Sequence, residues 1–283
     1  PAGLRLVKAV GIVSAPNLLP LSRPLFMKSL FKWLGNDPKY ERWRWQMFTV
    51  TWLGYAGFYL TRKSFSIAKT GMGEGTEVGL LDTDMAWIDM GYLIAYAIGQ
   101  FIWGITSDKV GPRKVLLGGM LISILTGVAM GVSTLPLAMG VFYFIQGLCQ
   151  STGWAPLTKN VSNFFSQRER GTIMGMWCTN YAVGGVVASA LAAWAATQWG
   201  YQYAFFVPAG VLLCIWFLFV FCQRNRPEDV GLPPIEEYHG EQKEAGEEPD
   251  HEEGQSWSHV ISVLKDPMVR MLAGVYFFLK PTR

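Results

Sequence analysis

Six stretches of this chain are each long and apolar enough to cross a lipid bilayer as a helix. A spanning helix needs about 20 mostly apolar residues. The stretches lie near residues 47–68, 86–106, 114–133, 136–158, 172–197 and 203–223, and a seventh begins near residue 268. Because lipid offers no partner for unpaired backbone groups, such segments cross as helices. The sequence therefore predicts an all-α membrane protein.

The composition excludes most water-soluble classes of protein. Hydrophobic residues make up 51% of the chain and charged residues 16%, whereas a soluble chain is about 25% charged. The net charge of +3 is too small to indicate a nucleic-acid partner. The four cysteines lie in apolar stretches without metal-ligand spacing, which argues against zinc and against disulfides. With no P-loop, triad spacing or metal cluster, we expect neither enzyme activity nor a cofactor.

The placement of lysine and arginine predicts the orientation of the helices, because cytoplasmic loops are enriched in both. The loop 67–85 is mainly acidic, and the short links after spans three and five carry no charge. Basic loops alternate with these and contain Lys39, Arg42 and Arg44, then Lys109, Arg113 and Lys114, then Lys159, Arg168 and Arg170, then Arg224 and Arg226. The N-terminus is therefore predicted to be cytoplasmic.

The chain divides into four predicted parts. Residues 1–45 form a cytoplasmic leader with a basic amphipathic lead-in from Met27, and residues 46–223 form a six-helix transmembrane half. Residues 224–266 form an acidic cytoplasmic linker that contains all three histidines, and residues 267–283 begin a seventh helix. Because the chain starts with proline and stops inside an apolar run, we expect it to be a fragment of a longer protein.

The sharpest local pattern is the segment 104–114, which joins spans two and three. Gly104 would let two helices approach closely, and Gly111 would permit a tight turn. Asp108 could cap the next helix or pair with Arg113. The alternative is an ordinary cytoplasmic turn with the usual positive charge.

Arg62 is a charged residue late in the first span. Tyr55, Tyr59 and Arg62 lie at i, i+4 and i+7, so they share one helix face. An arginine in a span is costly unless it faces a cavity or reaches an interface. The sequence leaves both positions open for Arg62 and for its neighbour Lys63.

Two other spans carry faces that combine polar and aromatic residues. In span two, Asp89 is interpreted as an outer-interface residue rather than a proton or cation carrier. The face in span four could line a cavity or pack helices through Gly153, and both remain open. Besides Asp89 and Gly153, the residues on these two faces are Tyr92 or Tyr96 with Gln100 in span two, and Gln146, Gln150 and Trp154 in span four.

The segment 104–114 resembles the signature loop of the major facilitator superfamily. The resemblance implies that Gly104, Asp108, Gly111 and Arg113 act as a gate latch between helices and do not bind substrate. It also implies two six-helix halves, each made of inverted three-helix repeats, with a site near the midplane between them. This chain would supply the first half and the start of helix seven.

Four segments resemble a narrower group, the organophosphate:phosphate antiporter family. They are residues 54–65, 150–156, 166–171 and 231–238, and the Tyr-x-x-Arg-Lys pattern ending at Lys63 is the most specific part. The segment 231–238 is most similar to glycerol-3-phosphate members. The resemblance implies a monomer in a bacterial-type inner membrane that exchanges glycerol-3-phosphate, a hexose phosphate or a phosphoglycerate for inorganic phosphate.

The resemblance also implies roles for individual residues. Arg62 and Arg283 would grip the phosphate, because an arginine fork gives bidentate bonds to phosphate oxygens. A phosphate monoester carries about −1.5 to −2 charges near neutral pH, which two guanidiniums would match. Lys63 would support the site electrostatically. The remaining residues expected to bind substrate are Tyr55, Tyr59, Tyr96, Gln100, Gln150, Trp154 and Tyr181.

Two positions depart from that family's pattern. Gln100 stands where a lysine is usual, which weakens the basic character of the site. Tyr181 stands where a histidine is often found, and a tyrosine does not titrate near neutral pH. A second hypothesis follows from the same resemblance, since some members are membrane sensors that report external sugar phosphate to a kinase partner.

The predicted orientation can be tested by cysteine labelling. A membrane-impermeant thiol reagent applied from outside should label Thr76→Cys and leave Lys109→Cys unlabelled, because only the first would lie outside. Permeabilised cells provide the control for reactivity. Equal labelling of both positions in intact cells would overturn the orientation.

Overall fold

The computed structural model describes residues 37–238, 262–263 and 265–279. Every regular element among these residues is a helix, so the prediction of an all-α fold is confirmed. Short 3-10 turns lie at Lys69–Gly71 and Pro227–Val230. The α-helices are α1 (Pro38–Ala68), α2 (Asp82–Val110), α3 (Pro112–Val132), α4 (Pro136–Gln150), α5 (Trp154–Ser162), α6 (Gln167–Trp177), α7 (Thr179–Trp199), α8 (Tyr203–Cys222), α9 (Ile235–Tyr238) and α10 (Pro267–Leu279).

Helices occupy all six apolar stretches, with two breaks that the sequence analysis missed. The fourth stretch divides into α4 and α5 because the Ser151 and Thr152 hydroxyls bond the carbonyls of Leu148 (2.6 Å) and Cys149 (2.7 Å). Such local bonds compete with helix continuation. Pro156 has no N–H to donate back to residue 152. The fifth stretch is interrupted only at Cys178, between α6 and α7.

Four helical segments in the described residues are long and apolar enough to cross a membrane. They are Asp82–Val110, Pro112–Val132, the joined Gln167–Trp199 and Tyr203–Cys222. Helix α1 falls outside this set because charged residues at both ends lower its hydropathy, and α4 has only 15 residues. The six-helix division of residues 46–223 stays a prediction.

Two apolar clusters lie at different levels along α1. The first gathers side chains around Tyr55 and Phe58 of α1 with residues from α3, α5, α6 and α8. The second gathers around Phe65 with residues from α2, α3, α4, α7 and α8. Thr61 and Arg62 lie between these levels, so the packing leaves a polar layer across the middle of α1.

Glycines let the helices around this layer approach closely. A Cβ at Gly147 of α4 would lie 2.6 Å from the carbonyl oxygen of Tyr92 in α2. A Cβ at Gly184 of α7 would lie 2.9 Å from Cα of Ala56 in α1. No atom of another described helix lies within 4 Å of the Cβ position of Gly104, so the close helix approach expected there stays a prediction.

Adding a methyl group at Gly147 should destabilise the protein, because the obstacle is backbone. We expect Gly147→Ala to cost about 1–3 kcal/mol, as overpacked sites do. Gly118→Ala in α3 is the matched control, since its added methyl meets no described atom within 4 Å. Thermal unfolding in detergent measures both variants. Equal unfolding temperatures would contradict the tight contact between α2 and α4.

Candidate functional site

Arg62 points into the helix bundle at the polar layer of α1. Its guanidinium carbon lies 4.6 Å from the ring centre of Tyr59 and 4.8 Å from that of Tyr96. A cation placed over aromatic faces at such distances is attracted by their π-electrons. Its described partners come from α1, α2 and α4, a position that favours the cavity-facing alternative over the outer interface.

A hydrogen-bond network surrounds the guanidinium. Arg62 Nε donates to Gln150 Oε1 at 3.0 Å, and the Tyr92 hydroxyl donates to the same oxygen at 2.8 Å. Gln150 Nε2 donates to Thr61 Oγ1 at 2.9 Å. The network joins α1, α2 and α4 through Gln150, which is completely buried.

One nitrogen of Arg62 remains available. Its Nη2 is buried and has no hydrogen-bond partner among the described residues. A buried donor without a partner costs about 1–3 kcal/mol, and more when the group is charged. An anionic oxygen that accepted a hydrogen bond from Nη2 would therefore remove this free-energy cost.

Aromatic side chains form a wall beside Arg62. The Tyr55 ring lies 5.8 Å from that of Tyr59, 5.4 Å from that of Trp154 and 5.5 Å from that of Trp177. Trp154 is 37% exposed, so part of this wall remains open. The structure thus brings together five predicted site residues around Arg62: Tyr55, Tyr59, Tyr96, Gln150 and Trp154.

Other predicted residues lie elsewhere. Gln100 lines a separate cavity of about 280 Å3 with Asp108 and Lys159. Lys63 is half-buried and forms no hydrogen bond or ion pair within the described part of the chain. Tyr181 is 39% exposed and makes no ring contact with the aromatic wall. Arg283 lies outside the described residues.

The segment 104–114 is organised differently from the expectation. Asp108 neither caps α3 nor pairs with Arg113; its Oδ1 lies 2.7 Å from Nζ of Lys159 in α5. Arg113 instead donates its backbone N–H to Asn225 Oδ1 at 3.1 Å. Asp108 lies within the last turn of α2 and faces α5, which explains the change of partner. Gly111 joins α2 to α3 with φ of 91°, in accord with its predicted turn.

Three further ion pairs were not predicted from the sequence. Arg44 pairs with Glu41 at 2.6 Å and with Glu169 of α6, and all three are buried. The i, i+3 spacing of Glu41 and Arg44 was a usable signal, but only the fold brings Glu169 to them. Asp89 pairs with Lys69 at the end of α1, so its carboxylate is accounted for by a protein partner.

Trp177 and Tyr92 are also part of the site and were not predicted as substrate-binding residues. Trp177 lies at the end of α6, and its Nε1 donates to Thr51 of α1 at 3.1 Å. Tyr92 was considered only as an alternative to Tyr96, although the two rings lie 6.1 Å apart and both face the polar layer. The one-turn spacing of these tyrosines was the available signal.

A sequence model described as Major Facilitator Superfamily matches residues 51–279. The "Glycerol-3-phosphate transporter" of Bacillus subtilis is 34% identical over 71% of this chain and 46% of its own length. The "Membrane sensor protein UhpC" of Salmonella typhimurium is 26% identical over 87% of this chain and 56% of its own length. The chain thus spans about half the length of these curated relatives.

A solved structure resembles the described helices. It is that of a bacterial homologue of the human lysosomal transporter Spinster, in an inward-facing and unoccupied conformation. The TM-score is 0.51 at 13% identity, covering 68% of this chain and 45% of the other. At that identity the likeness concerns the fold alone, and it agrees with half of a two-half architecture.

Proposed function

The chain belongs to the major facilitator superfamily, and we propose that it forms part of a secondary transporter that exchanges an organophosphate for inorganic phosphate. The similarity to a glycerol-3-phosphate transporter supports an organophosphate substrate and favours glycerol-3-phosphate. Hexose phosphates and phosphoglycerates have the same phosphate chemistry and remain the other members of the proposed substrate class. The chain would carry out no covalent step.

The observation that carries this proposal is the state of Arg62. A positive charge inside a membrane bundle is costly unless something compensates it. Tyr59, Tyr96 and Gln150 hold the guanidinium in place, yet none of them is an anion, and Nη2 has no described partner. A phosphate oxygen would supply both the missing acceptor and the missing charge.

We further propose that Arg283 provides the second positive charge. A substrate phosphate of about −1.5 to −2 charges exceeds what one guanidinium neutralises. Arg62 and Arg283 would belong to the first helices of the two halves, so pseudo-symmetry would let them face each other across the site. The described half has Gln100 and Tyr181 where cationic groups are usual, which makes this pair of arginines more important.

The aromatic wall would contact the rest of the substrate. Tyr59 and Trp154 offer partly exposed rings next to Arg62, and the buried Tyr55 ring contacts both of them; binding sites commonly combine such surfaces with a few polar groups. Their proposed role is to pack against the carbon atoms of the organophosphate. Inorganic phosphate would leave this wall unused, so the two exchanged anions would share Arg62 and differ at the wall.

Transport would follow from rocking of the two halves around this site, with the N-terminus in the cytoplasm and the protein in an inner membrane. Asp108 and Lys159 join α2 and α5 near the basic loops, where a latch could close and open with each cycle. Gly111 and Arg113 shape the adjoining turn. Because this ion pair lies outside the Arg62 network, it would affect turnover rather than affinity.

A second candidate function is a membrane sensor for external sugar phosphate, because one relative bears the name of a membrane sensor. The same Arg62 site would then bind a phosphate ester without moving it across the membrane. Phosphate counterflow in proteoliposomes separates the two functions. A transporter exchanges internal for external phosphate, whereas a sensor binds phosphate and exchanges almost none.

Substitution of Arg62 tests the proposed site in the full-length protein. Arg62→Lys keeps the positive charge but loses the forked guanidinium group. We expect several-fold to about a hundredfold weaker phosphate affinity, since hydrogen bonds to charged groups contribute about 1.5–3 kcal/mol each. Arg62→Ala should abolish exchange of radiolabelled phosphate. Near-normal exchange by Arg62→Ala would remove the chemical basis of the proposal.

The latch is tested by a different pattern of kinetics. Asp108→Asn and Lys159→Gln should each slow exchange while changing the KM for phosphate little, and the double variant should be no slower than either single one, because both remove one contact. Exchange rates and KM come from the same proteoliposome assay. A large rise in KM at normal turnover would place Asp108 in the binding site and contradict the latch.

A further inference from the structure

The side chain of Gln150 forms hydrogen bonds with three neighbouring residues, Arg62, Tyr92 and Thr61. We propose that Gln150 does not contact the substrate but is a positioning residue, which fixes the Arg62 guanidinium so that its Nη1–Nη2 edge faces the phosphate. This inference rests on the proposed function of Arg62 as the phosphate-binding residue. It changes the role of Gln150 from the one that sequence comparison implies.

The geometry of the guanidinium sets the choice of edge. Arginine has five N–H donors in a rigid plane, and it can bind two oxygens through Nε with one Nη or through both Nη atoms. Gln150 Oε1 already accepts from Nε at 3.0 Å. The edge that contains Nε is therefore partly occupied, while Nη2 has no described partner. The edge formed by the two Nη atoms remains for the phosphate.

Gln150 itself is held in one orientation. Its Oε1 accepts from both Arg62 and Tyr92, and its Nε2 donates to Thr61. Turning the amide over would place its NH2 group, a donor, against the Arg62 Nε–H, also a donor, so the bond from Arg62 selects the observed orientation. Because both acceptor positions of Oε1 are used and the residue is 0% exposed, little of Gln150 remains to meet a substrate.

Gln146 is a matched control on the same helix. It lies one turn before Gln150, is 1% exposed and also donates to α1, through a 3.0 Å bond from Nε2 to the carbonyl of Thr61. It makes no described contact with Arg62. The two glutamines therefore share helix, burial and partner residue, and differ in contact with the guanidinium.

The experiment measures binding of radiolabelled inorganic phosphate to the purified full-length protein. Gln150→Leu should raise the Kd about tenfold or more, since it removes a hydrogen bond to a charged group, whereas Gln146→Leu should change it less than about threefold. Tyr92→Phe, a smaller change, should weaken binding slightly and add nothing in the Gln150→Leu background. In the Arg62→Lys background, which lacks Nε, Gln150→Leu should have almost no further effect.

The alternatives give different results. If the effects of Gln150→Leu and Arg62→Lys multiply in full, Gln150 contacts the phosphate directly and the positioning role is wrong. If Gln146→Leu weakens binding as much as Gln150→Leu, or if Tyr92→Phe and Gln150→Leu both bind normally, the inference also fails. If the variants give one of these results and the wild-type protein still binds phosphate, only the positioning role fails. If the wild-type protein binds no phosphate, the positioning role and the proposed function both fail.

Discussion

The interaction on which the site depends is the burial of one positive charge between two apolar clusters. A guanidinium at this depth is tolerable only when its donors and its charge are compensated. Protein groups supply part of that compensation through the rings of Tyr59 and Tyr96 and through Gln150 Oε1. No described residue supplies an anion to this group. Under the proposed function a phosphate would supply it, and binding and release would follow from the incomplete compensation.

The surrounding packing serves this arrangement. Gly147 and Gly184 bring α4 and α7 close to α2 and α1, so that the polar groups of three helices reach one another across short distances. The break between α4 and α5 places Trp154 one turn beyond Gln150, beside Tyr55.

Much of this organisation could be predicted from the sequence. Membrane helices are recognisable from their length and hydropathy, and the spacing of Tyr55, Tyr59 and Arg62 places them on one helix face. The sequence did not predict which residues of distant segments contact one another. Asp108 has plausible partners nearby in sequence, yet Lys159 is the neighbour only once α5 packs against α2. The sequence alone leaves open which way the Arg62 side chain points, because its partners Gln150 and Tyr96 lie on other helices and only the fold brings them to it.

The most direct test of the account is an experimental structure of the full-length protein with tungstate, a heavier tetrahedral anion that substitutes for phosphate. The account predicts anomalous scattering from the anion beside the Nη atoms of Arg62, with Gln150 still bonded to Nε. An anion bound elsewhere, or an Arg62 side chain turned outward to the membrane surface, would contradict the assignment of Arg62 as the phosphate-binding residue.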